Sequence, residues 1–176
     1  PCDTTSLVVR DRGTGWISSY PARRKHSGDI SVAVNEFKGP ETTKRWYSEG
    51  APGLRHGVSD PHRSETNEAI ERTDRTLIEV EGCCSLQAGM PYKSWKLAVA
   101  WFGNNYSMTH IDHKKGTVSY AKRHSRKFPG TMLPFGSGIR YLHSAEREVE
   151  NREKLDPSLR DGISVGYRMR TGVEWT

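Results

Sequence analysis

The sequence predicts a mixed α/β fold that ends in a small, strongly bent β-barrel. Three observations carry this prediction. A pair of β-type runs opens the chain, helical periodicities fill the middle up to about residue 106, and three short β-like runs follow residue 138. With 176 residues, the chain is long enough for one domain of ordinary size or two small ones.

The opening runs, residues 7–10 and 16–20, flank the turn sequence D-R-G-T-G. Glycines permit the positive φ that a short hairpin connection needs, so this region is predicted to be a β-hairpin. Ser27 is the predicted cap of a helix whose apolar residues Ile30, Val34 and Phe37 recur at helical spacing, with Gly39 and Pro40 as its stop. A short strand is predicted at residues 45–48.

Two further helices are predicted in the middle of the chain. After Pro61, a long helix places its apolar residues on one face, and Gly89 and Pro91 end it. A second helix carries an apolar and aromatic stripe at positions 95, 98, 99, 102 and 106. Stripes of this spacing usually form part of a core, so these residues are assigned to packing.

The remainder of the chain is predicted to be a linker and a β domain. Residues 110–130 are polar and basic, which is typical of a connector. The three β-like runs at 139–143, 163–169 and 173–175 have lengths that suit a small barrel. The expected organisation is therefore 1–109 as the first domain, 110–130 as a basic linker, and 131–176 as a β domain.

Charge is distributed unevenly along the chain. The first 90 residues carry 12 basic and 13 acidic side chains, whereas the last 86 carry 15 basic and 8 acidic ones. Between His113 and Ala145 there are seven basic residues and no acidic one. Such a stretch can bind phosphates by releasing counterions, although a solvated basic loop is an equally good interpretation.

Several classes of protein are excluded by composition. No apolar run approaches the roughly 20 residues that a membrane span needs, so no membrane partner is expected. The three cysteines, Cys2, Cys83 and Cys84, form neither a disulfide framework nor a C-x-x-C zinc pair. The chain is expected to be a soluble piece of a longer polypeptide.

Acidic residues mark a candidate metal site. Glu49 follows the predicted strand at 45–48, and Glu71 lies in an early turn of the long helix. Carboxylates at a strand end and on an adjoining helix suit Mg²⁺, and two such ions can flank an in-line phosphoryl transfer. The alternative is that these carboxylates are solvated surface groups, as most acidic side chains are.

The same residues resemble a known family. Y-S-E-G-A-P at residues 47–52 and P-H-R-S-E-T-N-E-A-I-E-R-T-D-R-T at 61–76 are similar to the integrase catalytic core of Copia-like long-terminal-repeat retrotransposon polyproteins. W-I-S-S-Y-P at 16–21 resembles the second and third strands of that core. L-P-F-G-S-G-I-R-Y at 133–141 and the segment at 152–167 resemble the SH3-like domain that follows it.

The resemblance implies a partial RNase H-like fold with a C-terminal SH3-like β-barrel, in a truncated and degenerate copy. It also implies DNA integration by three acids that hold Mg²⁺ or Mn²⁺. Glu49 and Glu71 fall at the second and third acid positions, and Asp11 is a stand-in for the first. Glu49 replaces an Asp, which shifts the carboxylate by one bond, so catalysis is expected to be impaired.

The resemblance implies DNA as the partner, with other integrase protomers as a second partner and nuclear localisation. The expected DNA-contacting residues are His62, Arg63, Asn67, Arg72, Arg75, Lys114, Lys115, Arg126 and Lys127. For the helical ones the alternative is surface charge paired at i, i+4. For the whole chain, the alternatives are a non-catalytic nucleic-acid-binding fragment and an inactive transposon relic.

Overall fold

The computed structural model describes residues 5–24, 26–40, 42, 64–112, 116–142 and 159–175. Its first element is the predicted hairpin, in which strand β1 (Thr5–Arg10) pairs with strand β2 (Ile17–Ala22) in antiparallel register. The pair Arg10 and Ile17 closes the ladder. Gly15, at φ 84°, supplies the positive φ that the connecting turn requires.

Helix α1 (Ser27–Lys38) follows the hairpin, close to its predicted position. Its cap is His26, whose imidazole accepts the amide hydrogen of Gly28, and the predicted cap Ser27 is instead the first helical residue. Gly39, at φ 64°, ends the helix as predicted. The predicted strand at 45–48 lies outside the described residues.

The two predicted helices in the middle of the chain are confirmed. Helix α2 (Ser64–Gln87) ends before Gly89, and helix α3 (Trp95–Thr109) follows a single 3₁₀ turn, Tyr92–Ser94. The two helices pack on the hairpin through a core cluster of Ile17, Leu77 and Val99. Gly103 of α3 lies against β2, where a β-carbon would make an ordinary van der Waals contact of 3.4 Å with the Ile17 carbonyl oxygen.

The segment predicted as a linker contains secondary structure and contributes to the core. Strand β3 (Ile111–Asp112) pairs with strand β4 (Thr117–Val118), and helix α4 (Ser119–His124) follows. Tyr120 is fully buried, with its ring 5.8 Å from that of Trp16. The charged neighbours of Tyr120 dominate the composition, which is why this part of the sequence is typical of an exposed connector.

The C-terminal strands form two separate hairpins. Strand β5 (Gly138–Leu142) pairs with β6 (Leu159–Ile163), and β7 (Met169–Arg170) pairs with β8 (Glu174–Trp175). The described ranges thus contain four two-stranded antiparallel sheets and no closed barrel. The coarse prediction of a mixed α/β fold is confirmed.

One core joins the three segments that the sequence separates. Each buried residue of this core comes from a different part of the chain. They are Val9 of β1, Trp16 just before β2, Phe37 of α1, Met108 of α3, Tyr120 of α4 and Val173 of the β7–β8 turn. Residues 131–176 therefore contribute Val173 to the same core as residues 1–109, instead of packing only among themselves. Among the helices that the structure describes, none is long and apolar enough to cross a bilayer.

Candidate nucleic-acid interface

Asp11, the first candidate acid, is held within the turn of the β1–β2 hairpin. Its Oδ1 accepts the Gly13 amide hydrogen at 2.8 Å, and its Oδ2 accepts from the hydroxyl of Thr14. A longer hydrogen bond of 3.3 Å joins the Thr14 amide to the same Oδ2. Asp11 thus stabilises the turn, as Asp side chains commonly do by bonding to the backbone two residues on.

The electrostatic surroundings of Asp11 favour its ionised form. Partial burial raises the pKa of this carboxyl group, but the hydrogen bonds from Thr14 and Gly13, together with the charge of Arg123, lower it by more. The Arg123 guanidinium, 3.9 Å away, acts in the same direction, so the net pKa lies below the ordinary value. Asp11 is therefore a charged partner of the turn and of α4.

The other two candidate acids are differently placed. Glu71 is exposed on α2, and Glu49 lies outside the described residues. In the part of the chain that the structure describes, no three His, Cys, Asp or Glu side chains are grouped to hold a metal ion. The described residues by themselves therefore do not fit a two-metal centre for Mg²⁺ or Mn²⁺.

Basic side chains meet at the hairpin turn and the end of α4. Lys122 donates a hydrogen bond from Nζ to the carbonyl oxygen of Gly13, next to the exposed Arg12. Arg126 and Lys127 follow directly after α4 and are also exposed. We call Arg12, Lys122, Arg126 and Lys127 the hairpin–α4 surface. The hydrogen bond from Lys122 to Gly13 brings α4 against the turn that bears Arg12, and exposed Arg126 and Lys127 follow within five residues of Lys122 along the chain.

Arg126 of this surface has an acidic partner, Glu174. It donates to Oε1 of Glu174 at 2.6 Å, and about half of each side chain remains exposed. Exposed ion pairs contribute only about 0–1 kcal/mol, because both partners are well solvated. A phosphate can therefore compete with Glu174 for this guanidinium at small cost.

Arg123 belongs to the same basic run but is buried, with its side chain 4% exposed. It donates to the carbonyl oxygens of Phe37 at 2.7 Å and Gly172 at 3.2 Å, and lies over the Phe37 ring. A planar guanidinium group suits this environment, because it can donate two hydrogen bonds from its edge while its face lies over an aromatic ring. Arg123 fixes the position of α4, and it is not available to a ligand.

The candidate residues on α2 form a second basic group. Arg72 pairs with Glu68 one turn earlier, as the surface-charge alternative predicts, and Arg75 is exposed. Between them, buried Thr73 accepts a hydrogen bond from Arg10 at 2.8 Å, which connects α2 to the hairpin. Asn67 lies within α2. His62, Arg63, Lys114 and Lys115 lie outside the described residues.

The sequence predicts Arg126 and Lys127 as DNA-contacting residues, whereas Arg12 and Lys122 enter the candidate surface from the structure alone. The position of Arg12 in the sequence could have indicated its exposure, because it lies beside the glycines of a hairpin turn at the end of the sheet. No sequence signal distinguishes Lys122 from Arg123, although one lies on the surface and the other in the core.

Compared with known proteins, the chain matches no family profile, no curated protein and no solved structure.

Proposed function

We propose that this chain binds DNA through the hairpin–α4 surface without catalysing a reaction. The observation that carries the proposal is the bond from Lys122 to the Gly13 carbonyl, which joins the basic end of α4 to the turn that bears Arg12. Clustered Lys and Arg side chains bind nucleic acid by releasing counterions from the phosphates. The overall charge of +6 adds a favourable long-range attraction.

We further propose that the chain is related to the integrase core, with an RNase H-like ancestry and an SH3-like C-terminal part. The order of the described elements, β1, β2, α1, α2 and α3, supports this, because the resemblance covers the hairpin and the start of α2. Integration of DNA is then the ancestral activity. Other integrase protomers and the nucleus are the partner and location that the same relationship implies.

Loss of catalysis is part of this proposal. Both carboxylate oxygens of Asp11 are engaged by the turn, which supports a structural role for the residue nearest to the first acid position. A strand-transfer assay on a short duplex with Mg²⁺ or Mn²⁺ tests this directly. Wild type and Glu71→Gln are both expected to give the background of a protein-free reaction. Product that depends on Glu71 would contradict the loss of catalysis.

Binding is tested with two double variants that remove equal charge. Arg126→Gln with Lys127→Gln alters the hairpin–α4 surface, whereas Arg23→Gln with Arg24→Gln alters exposed residues at the other end of the hairpin. Fluorescence anisotropy with a labelled 20-base-pair duplex is expected to show a Kd at least fivefold higher than that of wild type for the first variant only. Equal weakening by both would show that net charge, and not this surface, determines binding.

A further inference from the structure

The imidazole of His124, at the end of α4, is partly exposed and packs against two aromatic side chains. Its ring centroid lies 4.5 Å from that of Tyr120 and 6.1 Å from that of Trp16, which it meets edge-on. The Nε2 atom is buried and has no hydrogen-bond partner among the described residues. In the neutral imidazole, an unprotonated Nε2 can be buried at modest cost. A proton added at Nε2 creates a charged N–H donor that has no acceptor, which costs considerably more.

The β7–β8 hairpin rests directly on this histidine. His124 makes a backbone hydrogen bond with Val173, whose side chain is 3% exposed in the shared core. Val173 has a φ of 56°, in the left-handed region, which is strained for a β-branched residue. Such a conformation costs on the order of 1–3 kcal/mol and persists only where the surroundings enforce it.

Hydrogen bonds at Gly172, the close approach of Gly172 to Gly39, and the packing of Trp175 on Phe128 hold this hairpin in place. The Gly172 amide donates to the Glu36 carbonyl oxygen at 2.7 Å, and Arg123 donates to the Gly172 carbonyl oxygen at 3.2 Å. The exposed pair of Arg126 and Glu174 adds little. The hairpin itself has only two paired positions in each strand, so it has little stability of its own once Val173 leaves the core.

Charged groups surround His124 on every packed element. On α4 and after it are Arg123 and Arg126, and on β8 is Glu174. Behind Arg123 lie Asp11 of the hairpin turn, Tyr20 of β2 and Glu36 of α1. Asp11 is held by its own turn and by Arg123, and Glu174 is exposed beside Arg126. None of the described acids faces Nε2 as an acceptor.

We propose that the β7–β8 hairpin, residues 169–175, is an acid-sensitive clasp that opens when His124 takes up a proton at Nε2. Opening lets the protonated Nε2 reach water and relieves the strain at Val173. The clasp is a property of the fold and does not depend on the proposed DNA binding.

The direction of the pH effect follows from the environment of the imidazole. Burial lowers the pKa of His124 below its ordinary value of 6.5, and the charge of Arg123 lowers it further, which together outweigh the raising effect of Glu174 and of the Val173 backbone hydrogen bond. The opened form has the ordinary pKa, so it binds the proton more readily than the closed form. Closure is therefore fully stable above pH 6.5 and weakens as the pH falls toward the lowered pKa, by up to about tenfold per pH unit.

Amide hydrogen exchange measured by NMR tests the clasp between pH 7 and pH 5. The Gly172 amide reports closure, since Glu36 protects it, and the Ile17 amide, bonded to Ser107 Oγ at 2.9 Å, reports the rest of the core. After correction for intrinsic rates, protection at Gly172 is expected to fall about twofold or more while that at Ile17 stays constant. Unchanged protection at Gly172, or an equal loss at Ile17, would overturn the proposal.

Variants separate His124 from other titrating groups. His124→Phe keeps an aromatic ring in the cluster and is expected to remove the pH dependence at Gly172. His110→Gln, which replaces an exposed histidine stacked on Tyr106, is the control and should behave as wild type. Should His124→Phe fail to fold, the NMR titration of His124 in wild type decides, because its midpoint must match the change at Gly172. A mismatch, or an unaltered pH dependence in His124→Phe, overturns the proposal.

Discussion

The guanidinium of Arg123 donates a hydrogen bond to the carbonyl oxygen of Phe37 at 2.7 Å and lies 4.8 Å from the centre of that residue's ring. This contact fixes α4 against the C-terminal end of α1. It has a direct consequence for the hairpin–α4 surface, because Lys122 and Arg126 are attached to the same short segment. The exposed cations are therefore held in place by a buried one.

Replacing Arg123 with Lys should destabilise the fold, because an ammonium group lacks the planar fork that reaches both carbonyl oxygens while its face lies over the Phe37 ring. The expected loss in the free energy of unfolding is about 2–3 kcal/mol, measured by urea denaturation. Arg168→Lys, at an exposed position, serves as the control and should change stability by less than about 0.5 kcal/mol. Equal effects of the two substitutions would contradict the role given to Arg123.

Asp11 should contribute stability that disappears in acid. Asp11→Ala removes the acceptor for Gly13 and Thr14, and should cost about 1–2 kcal/mol at pH 7. Because the folded pKa of Asp11 lies below its ordinary value of 3.8, this contribution is present above that pH and is lost as the pH falls through the lowered pKa. Urea denaturation at pH 7 and pH 3 checks this. A stability difference between wild type and variant that does not shrink at pH 3 would contradict it.

Ser107 should be the most sensitive hydroxyl in the interface between α3 and β2. Its Oγ accepts the Ile17 amide hydrogen at 2.9 Å, and the side chain is fully buried. Ser107→Ala leaves that amide without a partner, at an expected cost of about 1–3 kcal/mol in thermal or urea denaturation. Ser31→Ala removes an exposed hydroxyl that donates to Ser27 within α1, and should cost less than about 0.5 kcal/mol.

Gly39 and Gly89 provide a matched pair for testing the packing of the β7–β8 turn. Both have a positive φ, 64° and 61°, but only Gly39 is crowded: a β-carbon there would lie 2.6 Å from the Gly172 Cα. Gly89→Ala should cost about 1–2 kcal/mol for its backbone conformation. Gly39→Ala should cost about 1–3 kcal/mol more, since it also displaces the turn. Equal losses in urea denaturation would show that this turn does not pack against α1.

The sequence predicted the local structure correctly where a single local feature, such as a turn glycine or a helical spacing of apolar residues, determines it. The glycines at 13 and 15 predicted the hairpin turn, Gly39 predicted the end of α1, and apolar spacing predicted α2 and α3. The shared core did not follow, because it depends on single residues of distant segments. Tyr120 and Val173 each stand in polar surroundings in the sequence, and only the tertiary structure places them beside Trp16.

The sequence predicted only part of the candidate site, because the rest depends on tertiary contacts. Exposed Arg126 and Lys127 lie in the basic stretch that the sequence marked, so composition was enough to identify them. Composition could not separate Lys122 from Arg123, since their opposite burial depends on which side of α4 faces Phe37. The local sequence around Asp11 also did not show that the turn engages its carboxylate.

The salt dependence of DNA binding tests the central claim most directly. Each phosphate contact contributes about −0.9 to the slope of log K against log salt concentration, so contacts from the hairpin–α4 surface predict a slope of about −2 to −4. Arg126→Gln with Lys127→Gln should make that slope less steep by about 1–2, whereas Arg23→Gln with Arg24→Gln should leave it unchanged. A flat salt response in wild type, or a slope that the first double variant does not alter, would contradict the assignment of this surface to DNA.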